Sequence, residues 1–406
     1  MSLFPRRPIL VALAFVLCTL VLYAEDKPLS KLPTLDNALR KSATQAPLRW
    51  QFTGKTPSDL AEWQRKFRAK LSELLGPHTP PKKFQPKRIG RTVLAKYIRE
   101  EWLLEAEGVP ALPLYLLRPK SGKENTPIVL TLHGHGQFGH DAVVGIDRSE
   151  VRRANIAKHH YDYGRQFAER GFLVVAPCML PFGRRLDAGY ENSRTDPCAV
   201  TFVRLALLGQ TLMGSNLRDC QWALDFACAQ PKADSNRIAC IGLSYGGRMT
   251  MLTAAMDQRI KIAVPSGALN VMQERIGLRY SCGAQVIPGL LKHGDTPELG
   301  GLIAPRPCIW EIGSDDGLII PGGESTTIAK LLTRFGFVDE LRSQIESGMA
   351  LWGTCAGMIV IARELADPYP TPLNLIDIGV ARNYFGRQVD SFEAELKIKG
   401  IEGDPM

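Results

Sequence analysis

The sequence predicts an α/β protein, a mostly parallel sheet with helices on both faces, followed by a second and smaller α/β unit. Two observations carry this reading. From Thr126 onward, continuous apolar runs (Ile128–Leu132, Phe172–Ala176, Arg237–Gly242) are separated by helical patterns. Strands apolar on both sides belong to a sheet buried on both faces. After Asp316 the same texture starts again with shorter elements.

The elements follow in order. Residues 25–60 are polar, contain Pro28, Pro33 and Pro47, and read as an extended arm. Ser58–Leu75 places Leu60, Trp63, Phe67, Leu71, Leu74 and Leu75 on one face at 3.6-residue spacing, the mark of an amphipathic helix. Thr79–Lys87 is a Pro/Lys-rich connector. Thr92–Leu103 and Ala111–Leu117 are strand-like around a turn at Gly108, an antiparallel entry to the sheet. Helices are expected at Tyr161–Arg170, Leu217–Ala229 and Gly246–Asp257, and further short buried strands at Lys261–Val264 and Pro307–Ile312. The irregular insertions Phe182–Gly214 and Leu269–Gly300 are candidate cleft walls. Beyond Asp316 the pattern gives strands at Gly317–Ile320 and Ala350–Gly353, helices at Thr326–Phe335, Val338–Ser347 and Ala356–Leu365, and strand-like stretches at Leu373–Val380 and Gln388–Ile398.

Composition limits the function classes. A 45% apolar content in 406 residues suits a globular chain. The net charge of +9 is scattered, without an arginine-rich helix or aromatic-interleaved stripe, so no nucleic-acid partner is expected. Residues 1–24 read as an export signal, with Arg6 and Arg7 before the apolar run Ile9–Tyr23 and Ala24 before Glu25. An uncleaved anchor is the alternative; after cleavage no stable membrane span is expected. Eight of the nine cysteines follow this segment. No CxxC pair or His/Cys ligand spacing occurs, so neither metal nor cofactor is expected. Cys178 and Cys198 are a weak candidate disulfide.

Two motifs carry chemistry. Gly242-Leu-Ser244-Tyr-Gly246 falls between a buried strand and a helix. A sharp turn there projects the serine oxygen, and glycines at ±2 avoid a clash. The loop Leu132–Gly136, LHGHG, ends the earlier strand and can donate a backbone N–H to an oxyanion. Ser244 is the candidate nucleophile, with Gly136 and Tyr245 as the candidate oxyanion hole. His133, His135, His140 and Asp141 invite a metal reading, but their spacing fits the oxyanion loop better.

With LHGHGQ at 132–137, GLSYGG at 242–247 and APRPCIWEIGSDDG at 304–317, residues 90–316 resemble the α/β-hydrolase superfamily, within its dienelactone hydrolase and acetyl xylan esterase-like group. The resemblance implies an α/β-hydrolase-type sheet and hydrolysis of a small ester through a Ser244 acyl-enzyme. Asp316 would be the triad acid, with Asp315 as runner-up. The superfamily's histidine would come after the acid, and no histidine follows His293; His293 itself is a remote substitute. An apolar edge should then remain beside the acid strand unless Gly317–Ile320 and Ala350–Gly353 dock on it.

GLIIPGGESTT at 317–327, WGTCAGM at 352–358 and ARNYFGRQVDSFEAELKIKG at 381–400 resemble a different family, the glutaminase subunit of pyridoxal 5′-phosphate synthase. The resemblance implies a partial, flavodoxin-like class I amidotransferase unit over 317–406, incomplete at both ends. Cys355 would be its nucleophile, Gly323, Glu324, Ser325 and Arg382 would hold L-glutamine, and a synthase subunit would be its partner. The family's His-x-Glu strand would lie beyond Met406, and its cytosolic setting conflicts with an export signal. The chain thus divides into a signal (1–24), an arm and helix (25–89), a hydrolase domain (90–316) and a partial glutaminase (317–406). Three outcomes stand: an exported esterase, a glutaminase, or a chimera weak in both.

Overall fold

The computed structural model describes residues 35–121, 124–136, 138–187, 196–278, 282–311, 318–320, 325–334, 336–346, 351–353, 356–366 and 371–381. The expected export signal and the stretch Gln388–Ile398 lie outside them. Among the described residues no single helix is long and apolar enough to cross a membrane.

The apolar runs pair into one ten-stranded mixed sheet. Its strands are β1 (Gln85–Val93), β2 (Tyr97–Glu105), β3 (Leu112–Pro119), β4 (Thr126–Leu132), β5 (Leu173–Pro177), β6 (Ala233–Leu243), β7 (Ile260–Ser266), β8 (Trp310–Glu311), β9 (Leu318–Ile320) and β10 (Leu351–Gly353). Their spatial order is β1-β2-β3-β5-β4-β6-β7-β8-β9-β10. The first three strands and the β3–β5 junction are antiparallel; the Gly108 turn implied the β2–β3 pairing, whereas the expected strand Thr92–Leu103 is broken at residues 94–96 between β1 and β2. From β5 through β4, β6 and β7 to β8 the sheet is parallel.

Period-two alternation explains why these strands are apolar throughout. Leu114, Leu116, Ile128, Leu130 and Val175 point into one core with Phe67, Leu71, Trp222 and Met249. Tyr115, Leu117, Val129 and Val174 point into the opposite core with Val143 and Ala168. The helix Pro57–Leu75 closes the first face, burying Phe67, Leu71 and Leu75. A reciprocal capping box between Thr56 and Asp59 starts it and Gly76 stops it. The arm before it differs from expectation, because Leu35–Thr44 is helical. An Arg40–Asp36 pair one turn apart supports that helix, and Gln273 Nε2 donates to the Ala43 carbonyl at 2.9 Å to hold its end.

The apolar edge beside β8 is covered as the sequence required. β9 pairs antiparallel with β8, Trp310 opposite Ile319 and Glu311 opposite Leu318, and β10 runs parallel to β9. A third core gathers here from Ile320, Ile328, Leu332, Ala356, Val360, Ile361 and Leu373, and Ile309 of the preceding segment packs into it. One expected helix is shorter than its periodicity suggested. The helix Ala356–Ile361 ends where β11 (Ala362–Leu365) turns extended and pairs in parallel with β12 (Ile376–Val380). Ladder hydrogen bonds to a neighbour outweigh the helical pattern there.

Ile320 lies at 1% exposure in this third core. Ile320→Ala is expected to lose about 2–4 kcal/mol in urea unfolding, against under about 0.5 for Val151→Ala on an exposed helix face. Equal effects would contradict the packing.

Candidate active site

β6 and the helix Tyr245–Met256 are joined by a single residue, Ser244, at φ 59° and ψ −115°. A non-glycine residue at positive φ stores about 1–3 kcal/mol of strain, so surrounding contacts must fix it. Here they do so through glycines. A Cβ on Gly246 would lie 2.0 Å from the Leu132 carbonyl oxygen, and one on Gly247 would lie 2.2 Å from that of Ser266. A Cβ on Gly242 would meet the Gly246 carbonyl at 2.4 Å. The Ser244 N–H donates to the Ser266 carbonyl at 2.8 Å, and its own carbonyl accepts from the Arg248 N–H at 3.0 Å. The side chain is left exposed at the helix N-terminus, where backbone dipoles favour negative charge.

The loop after β4 is clamped to this turn. Tyr163 donates its hydroxyl proton to the Leu132 carbonyl at 2.6 Å. His133 is buried; its Nε2 accepts from the Met179 N–H at 2.9 Å, which leaves the proton on Nδ1, 2.8 Å from the Gly134 carbonyl. Burial pushes this imidazole down to about 4, so it stays neutral. His133 is therefore a scaffold for the loop. A Cβ on Gly134 would sit 3.0 Å from the Leu243 carbonyl and 3.5 Å from Ser244 Cβ, which places this glycine against the turn. Gly136 follows at φ 146° with open space at its α-carbon. The Tyr245 side chain is buried, and its hydroxyl oxygen accepts from Asn216 Nδ2 at 2.7 Å. Asn216 also exchanges two bonds with the backbone of Leu180 at 2.8 Å each. No sequence signal marks Asn216, a polar residue in a buried stretch of helix.

The other candidates resolve separately. Asp141 accepts from the Tyr115 hydroxyl at 3.0 Å and from Arg152 at 2.9 Å, and the Tyr115 ring covers His140 at 4.6 Å. These contacts satisfy Asp141, while both ring nitrogens of His140 are buried without a hydrogen-bond partner among the described residues. His293 faces the N-terminal arm, where its carbonyl accepts from the Trp50 N–H at 2.7 Å. Burial and the nearby Lys70 and Arg49 lower its imidazole. Cys178 does not meet Cys198; its thiol donates to the Phe182 carbonyl at 3.2 Å. Cys198 instead lies beside Cys282, whose Sγ is 2.8 Å from His135 Nε2. Within that pair the hydrogen bond pulls the Cys282 thiol down and pushes the Cys198 thiol up.

In the C-terminal unit, Ser325 opens the helix Ser325–Arg334 and is buried. β10 ends at Gly353, where a Cβ would meet the Met358 nitrogen at 2.7 Å, and a helix starts at Ala356. Asp315, Asp316, Gly323, Glu324, Cys355 and Arg382 lie outside the described residues.

Comparison with known proteins follows the same division. The model of an Abhydrolase family matches residues 26–319, and that of the SNO glutamine amidotransferase family matches 311–406. A structure of a candidate acetyl xylan esterase from Bacteroides fragilis covers 69% of this chain and 75% of its own, with TM-score 0.59 and 19% identity, a likeness of fold. The pyridoxal 5′-phosphate synthase subunit PdxT of Rhodococcus opacus is 51% identical over 98 residues, 24% of this chain and 48% of that protein. Its counterpart from Dehalococcoides mccartyi strain CBDB1 is 58% identical over 88 residues, 21% and 45%. The chain spans about half the length of these curated relatives.

Two measurements check the turn. Gly246→Ala forces a Cβ into the Leu132 carbonyl, and its destabilisation should exceed about 3 kcal/mol or leave the protein insoluble, whereas Gly379→Ala, in open space and without a left-handed backbone, should lose about 1 kcal/mol or less. For His133, the folded imidazole is depressed from 6.5 to about 4. Between those values the unfolded chain binds the extra proton, so stability is full above pH 6.5 and falls as pH drops through that window. The loss contributed is on the order of 3 kcal/mol. Denaturant titrations of His133→Gln, which keeps an acceptor, should show a shallower decline than the parent.

Proposed function

This chain belongs to the Abhydrolase family, and from that premise we propose that residues 90–316 are a serine carboxylic-ester hydrolase acting on a small ester through a Ser244 acyl-enzyme. The observation that carries this is the Ser244 backbone, held at φ 59° between β6 and its helix with the oxygen exposed. A serine so strained and so tightly supported is placed for attack rather than packing. The Tyr245 N–H, at the first turn of the helix, would stabilise the tetrahedral oxyanion together with a backbone N–H of the Gly134–Gly136 loop, Gly136 by expectation. Asp316 would orient the base. Ordinarily the hydroxyl proton passes to a histidine and then to the leaving alcohol. Loss of that base from a triad costs about 10⁴-fold or more in turnover, and His293, the last histidine in the sequence, precedes the acid rather than following it. Residues 1–24 would export the protein.

A second reading rests on the amidotransferase match over 311–406. Cys355 would attack the side-chain amide of L-glutamine, releasing ammonia and leaving a thioester that water cleaves to glutamate. Gly323, Glu324, Ser325 and Arg382 would hold the glutamine, and a synthase subunit would receive the ammonia, which would suit the cytoplasm. The esterase reading is preferred because its turn and loop are present and mutually supported.

Hydrolysis of p-nitrophenyl acetate should fall to background in Ser244→Ala and persist in Cys355→Ala. Turnover retained by Ser244→Ala would sink the esterase reading. Glutamate release from L-glutamine that is lost in both Cys355→Ala and Glu324→Ala would establish the second.

A further inference from the structure

Three side chains from distant parts of the sequence meet beside the Ser244 turn. His135 comes from the loop after β4, Cys198 from the first turn of the helix Pro197–Leu207, and Cys282 from the start of the short turn Gly283–Gln285. Their ligand atoms all lie within 4.8 Å of one another. His135 is exposed, Cys282 half-buried and Cys198 buried, so the cluster opens to solvent on one side.

The convergence is built into the packing. A Cβ on Gly283 would lie 2.5 Å from Phe202 Cβ and 3.1 Å from the Cys198 carbonyl, so this glycine lets the turn press onto the helix. Asp196 caps that helix, accepting from the Cys198 N–H at 2.9 Å and fixing the cysteine's backbone. The His135 ring is held between Phe182 at 5.3 Å and Tyr245 at 5.1 Å. His135 is thus held against Tyr245 of the Ser244 turn, while Cys198 and Cys282 are fixed by the helix cap and by the Gly283 contact.

We propose that His135, Cys198 and Cys282 form a binding site for one zinc-class divalent cation, with its fourth position open to solvent. One imidazole nitrogen and two thiolates form a set that borderline-soft cations take in tetrahedral geometry. Each thiol releases its proton to solvent on binding, and the two thiolate charges offset the cation's two. Donor atoms this close need only small side-chain rotations to reach metal bonds of about 2.0–2.3 Å. The bound ion would tie the loop after β4 to the helix Pro197–Leu207 and to the turn at Cys282. The site is independent of ester hydrolysis, since the cation needs neither Ser244 nor Asp316.

Cobalt(II) titration of the reduced full-length protein tests this. A thiolate-to-cobalt absorption band should saturate at one equivalent, zinc should displace it, and zinc should raise the Tm. Cys198→Ser and Cys282→Ser should lose the band, His135→Ala should weaken binding by more than about tenfold, and Cys228→Ser should retain it. Circular dichroism melts without metal establish that each variant is folded. Absence of a thiolate band in the folded, reduced protein would overturn the proposal. So would an unchanged band in either Cys198→Ser or Cys282→Ser, or a Cys198–Cys282 disulfide that survives reductant.

Discussion

The antiparallel pairing of β8 with β9 is the constraint on which the rest of the arrangement depends. Only Trp310 and Glu311 face Ile319 and Leu318 across it, yet it falls where the segments matched by two families overlap, residues 311–319. Without it β8 would present an unpaired edge, and the third core would lose the wall that Ile309 supplies. Strands of two and three residues are too short to stand alone, so each is stable only as part of the sheet.

The same sheet sets up the Ser244 turn from the other side. β4, β6 and β7 run in parallel, and the Leu132 and Ser266 carbonyls at their ends press against Gly246 and Gly247. Backbone so close leaves no room for Cβ atoms, and the helix must start where it does. Strain at Ser244 is therefore held by three strands and one helix together. The buried neutral His133 and the Asn216 amide bind the neighbouring loop and the Tyr245 ring into the same unit.

The sheet and the turn were legible because their signals are local. Continuous apolar runs such as Ile128–Leu132 reflect two covered faces, and glycines at ±2 around Ser244 reflect a clash that any sharp strand-to-helix turn would create. The edge strands were legible as a requirement of β8. Other features were not readable along the chain. Leu35–Thr44 sits in a proline-bearing arm with Leu35 and Leu39 exposed, so no buried stripe announced a helix. Ala362–Leu365 continues a helical apolar pattern, and only its pairing with Ile376–Val380 reveals a strand. His135, Cys198 and Cys282 have no ligand spacing because three separate segments bring them together. A weak Cys178–Cys198 pairing and a metal reading of His135 with His133, His140 and Asp141 each named one member of this cluster with other neighbours.

Native-state hydrogen exchange across the seam tests most directly whether the two segments form one folded sheet. The amides of Trp310–Glu311 and Leu318–Ile320 should exchange slowly and together, on the timescale of the third core around Val360, and both should accelerate in Ile320→Ala. Rapid exchange at 318–320 beside a protected β6 would contradict the account, leaving the C-terminal segment a separate appendage on a sheet that ends at β8.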